Sequence, residues 1–151
     1  MEFSAQEIKT TLNHSSDLAH PTLRIIDANL NRLREGIRVL EDICRYEYNH
    51  SHFAYTLKEL RHRCKLDLIQ TLLESRDSLN DVLRESTPNE MKRADLKSIV
   101  IANFKRTQES SRVLEEILKL HNPQDSNNFK AIRYQLYTLE KEIFALFINQ
   151  N

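Results

Sequence analysis

The chain has 151 residues, 22 basic against 22 acidic side chains, one glycine, three prolines and two cysteines. Balanced charge excludes a general nucleic-acid binder, which needs a basic excess. So few breakers leave no room for a glycine-rich phosphate loop or a turn-rich sheet, and no apolar run approaches the roughly 18 residues of a membrane span.

Residues 1–20 are polar and weakly patterned and read as a flexible N-terminal arm, with one helical turn around Ala5–Leu12. There is no signal-peptide core in it, so a cytoplasmic protein is expected. Residues 21–151 read as one helical domain. Pro21 suits the first turn of a helix. From there Ile26, Leu30, Leu33, Ile37, Leu40 and Cys44 step by four and three, the seam of a packed amphipathic helix that stops near Tyr48–His50. Ser51 can cap the second helix, with core positions Phe53, Leu57, Leu60, Cys64 and Leu68. The first unit is thus 21–74, followed by a loop at 75–87, within a longer interruption that reaches residue 94.

Thr87-Pro88-Asn89-Glu90 is a capping box with proline at the first helical position, and it opens the second unit, 88–149. The third helix then runs to about Leu120, with a bend near Ala94–Asp95, until His121-Asn122-Pro123 breaks it. Asp125 or Ser126 caps the fourth, which carries Phe129, Ile132, Leu136, Leu139, Ile143 and Phe147. Cys44 and Cys64 fall on helical patterns and read as buried free thiols.

The chain repeats itself. At an offset of 74, Ala28, Asn29, Arg32, Glu35, Arg38, Val39, Leu40, Glu41 and Ile43 meet identical residues at Ala102, Asn103, Arg106, Glu109, Arg112, Val113, Leu114, Glu115 and Ile117. After the loops the offset is 72, so Leu57-Lys58-Glu59-Leu60-Arg61-His62 echoes Phe129-Lys130-Ala131-Ile132-Arg133-Tyr134. Two hairpins with one pattern cannot each bury their stripe alone, so the expected fold is all-α: a four-helix bundle of two repeated hairpins with pseudo-twofold symmetry.

On a helical wheel of about 100° per residue, Asn29 and Arg32 extend the apolar face beside Gly36 and Val39, and Asn103 and Arg106 do the same beside Ser110 and Val113. A semi-buried arginine needs a partner. Two readings stay open. Arg32 and Arg106 bridge to acids or carbonyls on neighbouring helices while the asparagines fix the helix register, or the arginines converge and clamp an anion that Asn29 and Asn103 orient, since guanidinium forks suit phosphate and carboxylate. Glu35, Arg38, Glu41 and Asp42 point further outward as a solvated charge ladder. Arg61 and Arg133 read as snorkelling surface arginines. Glu59 and His62 have the spacing of a di-iron ligand pair, but Ala131 and Tyr134 take those places in the second unit, so no metal and no cofactor are expected. No nucleophile–base pair stands out.

Arg24 through Asp42, then Leu57 through His62, Ser75-Arg76-Asp77, Asp81-Val82, Glu90, Arg93 and Ala102 through Glu116 together resemble the helical N-terminal domain fused to some bacterial thiamine-phosphate synthases. The resemblance covers nearly everything from 22 to 140. The family's loop usually reads Asp-Val-Gly, whereas Leu83 stands here in place of the glycine. The synthase joins a pyrimidine pyrophosphate to a thiazole phosphate on a (β/α)₈ barrel, and 151 residues cannot hold such a barrel beside this domain. The resemblance therefore implies an accessory helical domain of thiamine biosynthesis, without the synthase catalysis. It would bind a phosphorylated small molecule or the synthase itself through Arg32, Arg106, Asn29 and Asn103, with Arg76, Asp77 and Asp81 as a loop lid. A self-associating structural bundle, or an enzyme of another type using the arginine and aspartate cluster, are the competing expectations.

Overall fold

A computed structural model describes residues 18–148, so the arm expected over 1–20 lies almost wholly outside the described residues. The order is α1 (His20–Asp42), a π-helical turn (Ile43–Glu47), α2 (Ser51–Arg63), α3 (Ile69–Ser75), α4 (Leu96–Leu118) and α5 (Pro123–Ile148). Among the described residues there is no strand, and no helix is long and apolar enough to cross a membrane. The protein is all-α.

The long helices α1 and α4 lie against one another, α2 and α3 pack on α1, α5 packs on α4, and α2 touches α5. The heptad-like seams supply the core. Ile26, Leu33, Ile37, Leu40 and Cys44 of the first seam are buried, as are Phe53, Leu57, Leu60, Cys64 and Leu68, and Phe129, Ile132, Leu136, Leu139 and Ile143. Leu30 and Phe147 are only partly covered. Gly36 marks the close approach of α1 to α4: a Cβ there would lie 2.6 Å from Cγ2 of buried Thr107.

Several local details differ from the sequence reading. α2 is capped by His50, not Ser51: His50 Nδ1 accepts the Phe53 N–H at 3.2 Å, and the two rings stack at 4.1 Å. The second helix does not run unbroken to Leu68 but stops at Arg63, where Cys64 leaves helical backbone (ψ 77°), and a new short helix begins at Ile69. Asn49 takes a positive φ of 48°, which asparagine tolerates better than most residues. The capping box forms, with Thr87 N–H donating to Glu90 Oε2 at 2.8 Å and Glu90 N–H to Thr87 Oγ1 at 3.4 Å, yet it closes only one turn. The helix proper starts at Leu96, because Asp95 is a second, better cap: its Oδ1 accepts both the N–H and the hydroxyl of Ser98, at 2.8 and 2.7 Å. α5 starts earlier than Asp125 or Ser126 would set it. Pro123 opens it, Asn122 Oδ1 accepts the Gln124 N–H at 2.9 Å, and Ser126 instead donates to the Glu115 carbonyl at 2.7 Å.

The expected charge ladder is also corrected. Arg38 pairs with Asp42 at 3.3 Å, but Glu41 is buried and turns to Arg61, whose Nε donates at 2.8 Å. Glu115, the matching residue, is buried too and accepts from Arg133 Nη2 at 2.8 Å and Nε at 3.1 Å. Arg61 and Arg133 are therefore interior ion-pair donors rather than snorkelling surface groups. Burial works to raise the Glu115 carboxyl, but Arg133 and Arg112 outweigh it and hold it below its ordinary value.

Candidate functional site

Along the line where α1 meets α4 the surface opens into a cleft roofed by the segment between α3 and α4. Its main part encloses about 730 Å³ between Asn29 and Arg32 of α1, Arg106 and Ser110 of α4, and Asp81 and Arg84 of the loop. A second part of about 740 Å³ shares Asn29, Arg32, Asp81 and Arg106 and extends to Arg76 and Asp77. A third, about 250 Å³, lies between Gly36 and Asn103 and is again bordered by Arg106. All seven residues singled out from the sequence thus border one set of adjoining depressions.

The helices position these groups by simple periodicity. Asn29 and Asn103 each donate their side-chain amide to the carbonyl four residues earlier in their own helix, Ile25 at 2.9 Å and Ile99 at 2.8 Å. That bond holds the side chain against the helix and leaves the amide oxygen as the remaining polar atom. Arg32 and Arg106 follow one turn-step later. Both are exposed, which corrects the semi-buried placement read from the wheel. Among the described residues neither has an ion-pair partner, so the bridges to neighbouring helices are not formed.

The loop residues hold the roof. Arg76 makes a two-pronged pair with Asp27, Nε to Oδ2 and Nη2 to Oδ1, both at 2.8 Å. The fork is committed there, and Asp27 raises the Arg76 pKa further by accepting these bonds. Arg24 donates to the Asp77 carbonyl at 3.3 Å. The Asp77 carboxylate accepts the Asn80 side-chain amide at 2.7 Å and its backbone N–H at 3.2 Å, and these bonds keep it below the usual carboxylate range. Asp81 accepts the Leu83 N–H at 3.0 Å. Arg76, Asp77 and Asp81 therefore shape the loop more than they offer free charge to the cleft.

Sequence reasoning missed three participants. Asp27 is nearly buried and anchors the loop, but at about 100° from the centre of the apolar face nothing marked it as interior. Arg84 and Arg93 line the cleft from a segment without periodicity. Both cysteines are buried, and burial pushes Cys44 up to about 11 and Cys64 to about 12, so neither is a nucleophile at neutral pH. Among the described residues no three His, Cys, Asp or Glu side chains gather closely enough to hold a metal ion. The cleft carries mixed charge: Arg32, Arg84, Arg93 and Arg106 and the helix-borne amides offer donors suited to an oxyanion, while Glu35, Asp81, Glu90 and Glu109 line the same depressions.

The chain is 43% identical over 123 residues to a thiamine-phosphate synthase of Nostoc punctiforme, covering 81% of this chain and 35% of that protein. It is 40% identical over 130 residues to the thiamine-phosphate synthase of Synechocystis sp., covering 84% and 38%. It is 35% identical over 136 residues to that of Prochlorococcus marinus strain AS9601, covering 87% and 39%. The chain spans little more than a third of the length of these curated relatives. No solved structure matches it. Residues 24–142, which contain α4, the loop and all but the first turn of α1, match one family throughout, and the chain belongs to the ThiD2 family.

Proposed function

We propose that the cleft binds a phosphorylated small molecule of thiamine-phosphate synthesis. The observation that carries this reading is the pair Arg32 and Arg106. They stand at corresponding places in the two sequence units and line one cleft, and no carboxylate neutralises either among the described residues. Arg38, Arg61, Arg76, Arg112 and Arg133 are ion-paired, whereas Arg24, Arg34, Arg45, Arg63, Arg84 and Arg93 have no ion pair among the described residues; what sets Arg32 and Arg106 apart is that they are matched and line one cleft. An exposed cation left unpaired beside a second one repels it, and an anion between them relieves that repulsion. In this reading Arg32 and Arg106 grip the phosphate and Asn29 and Asn103 present amide oxygens to hydroxyl or amino groups of the ligand. The relatives' name supplies the ligand class.

The matched pairs Glu41–Arg61 and Glu115–Arg133, with the matched bonds of Asn29 and Asn103, support an approximate twofold relation between two hairpins packed as one bundle. Such a relation would place the two arginines on either side of its axis. In the relatives the matched region belongs to a longer synthase, so handing the bound phosphate to a synthase barrel is a natural role for this domain.

A thermal-shift titration tests the reading. The panel is thiamine phosphate, thiamine pyrophosphate, the pyrimidine and thiazole phosphates, pyrophosphate and sulfate. A specific ligand at 100 times its Kd adds about 2.7 kcal/mol, a shift of roughly 5–10 °C for this size. Arg32→Ala and Arg106→Ala should each abolish most of that shift while changing the unliganded Tm by no more than 1–2 °C, about 0.5 kcal/mol. A sulfate-sized response to every phosphate would sink the proposal. Phosphorus NMR of the same mixtures reads whether the bound phosphate is turned over, with Asp77→Asn and Asp81→Asn as the variants that would expose a chemical role.

A further inference from the structure

The roof of the cleft is unlike the rest of the chain. Residues 78–95 are exposed throughout, and they include Leu79, Val82, Leu83 and Met91, each at least 77% accessible. Large apolar side chains concentrated on one loop, in water, are unfavourable at about 25 cal/mol per Å². The loop is also loosely tied. Among the described residues every hydrogen bond of 78–94 is local, formed within the turns at 77–84 and 87–93. Firm anchors stand only at its two ends: the Arg76–Asp27 fork on α1 and the Asp95 cap on α4. Between them, Leu83, Arg84 and Arg93 face the same cleft as Arg32 and Arg106.

We infer that residues 78–94 are a closing cover for the cleft. This rests on the phosphate-binding reading above. When a phosphate sits on Arg32 and Arg106, Arg84 and Arg93 move onto its remaining oxygens, and Leu83 and its apolar neighbours come down over the rest of the ligand. Asp27 is the anchoring residue: by holding Arg76 it fixes one end of the cover and sets where it lands. Arg84 and Arg93 are ligand contacts that form only on closure, since each remaining phosphate oxygen can accept a charge-assisted bond. The end anchors confine a long, unpatterned loop whose interior keeps only local bonds.

Limited trypsin digestion of the full chain tests this directly, because Arg84, Lys92 and Arg93 lie in the cover and proteolysis follows the population of open backbone. Thiamine phosphate and pyrophosphate are the probes, with binding measured separately by calorimetry. The expected result is rapid cleavage after Arg84 in the free protein, slowed about tenfold or more by a probe that binds. Arg84→Ala and Arg93→Ala, both on exposed residues, should weaken binding about tenfold each, with the circular dichroism and Tm unchanged. Asp27→Asn should speed cleavage after Arg84 with and without probe; Arg76→Gln is the companion variant should Asp27→Asn fold poorly. A probe that binds by calorimetry yet leaves cleavage unchanged overturns the cover and spares the site. A free protein that resists cleavage after Arg84 overturns it as well. No binding by either probe overturns the cover together with the reading beneath it.

Discussion

The segment from His20 to Ser75 and the segment from Leu96 to Ile148 carry the same interior ion pair in the same place but differ in what they do with the loop between them. Glu41–Arg61 and Glu115–Arg133 correspond residue for residue. Asp27–Arg76 has no such counterpart: the place of Asp27 is taken in the second segment by Ile101, which is 39% exposed. The difference separates scaffold from device. The ion pair that occurs in both segments ties a helix pair together and would be needed in each. The Asp27–Arg76 pair, which has no counterpart, serves an element that occurs once, the loop over the cleft.

The largest effects should come from breaking the shared pairs. Arg61→Ala strands a buried carboxylate, since Glu41 has no other ion-pair partner among the described residues, and should cost about 3 kcal/mol, at the lower end for a broken interior pair because Arg61 keeps some solvent contact. Arg133→Ala should cost less, about 2 kcal/mol, because Arg112 remains 3.2 Å from Glu115. Urea titration of both variants checks the order; equal losses would mean that Arg112 contributes nothing. The same carboxylate gives a pH signature. Glu115 titrates lower in the folded chain than in the unfolded one, so its contribution is complete above its ordinary value of 4.5 and disappears as pH falls through the depressed folded value. Glu115→Gln should flatten the loss of stability below pH 4.5, and an unaltered acid limb would contradict the assignment.

Next comes the helix contact. Gly36→Ala should cost about 1–2 kcal/mol: the new methyl meets buried Thr107 at 2.6 Å, and the better helix propensity of alanine offsets only part of the overpacking. Thr107→Ser, which removes the opposing methyl, should restore some of that loss in the double variant. Ser110, the counterpart of Gly36, already carries a side chain whose hydroxyl returns to the Arg106 carbonyl at 2.6 Å, so Ser110→Ala should stay within about 0.5 kcal/mol of the parent. A loss above about 1 kcal/mol at Ser110 would mean that its hydroxyl does more than return to its own helix.

These contacts also show what the sequence could reveal. The apolar seams were legible because period alone decides which side of a helix is covered, and all-α followed from the scarcity of breakers. Arg32, Arg106, Asn29 and Asn103 were legible as a set because they recur. Glu41 and Arg61 were not: they lie 20 residues apart, and a wheel drawn for one helix cannot show a partner on another. The wheel likewise placed Arg32 and Arg106 too deep, because the α1–α4 seam opens into a cleft just where they stand. The capping box at Thr87 was read correctly as chemistry and wrongly as a helix start, since Asp95 offers two bonds to Ser98 and the chain between them stays irregular.

The smallest expected effect concerns the thiols, and it sharpens the comparison of the two segments. Cys44 and Cys64 stand where Leu118 and Leu136 stand in the second, and all four are at most 1% exposed. The cysteines act as small apolar side chains, with Cys64 donating its weak S–H to the Leu60 carbonyl at 3.3 Å. With pKa values pushed up to about 11 and 12, almost no thiolate exists at pH 8, so iodoacetamide should leave both unmodified over hours and label them only as the chain unfolds. A bound phosphate that raises Tm should slow that labelling further. Mass spectrometry of partly labelled protein distinguishes the two sites. Equal labelling of Cys44 and Cys64 means global unfolding is the route. Faster labelling of Cys64 would locate a local opening at the break after Arg63, where the first segment's outer helix is interrupted and α5, around Leu136, is not. In that event the two outer layers would differ in stability as well as in shape, and the loop would hang from the weaker one.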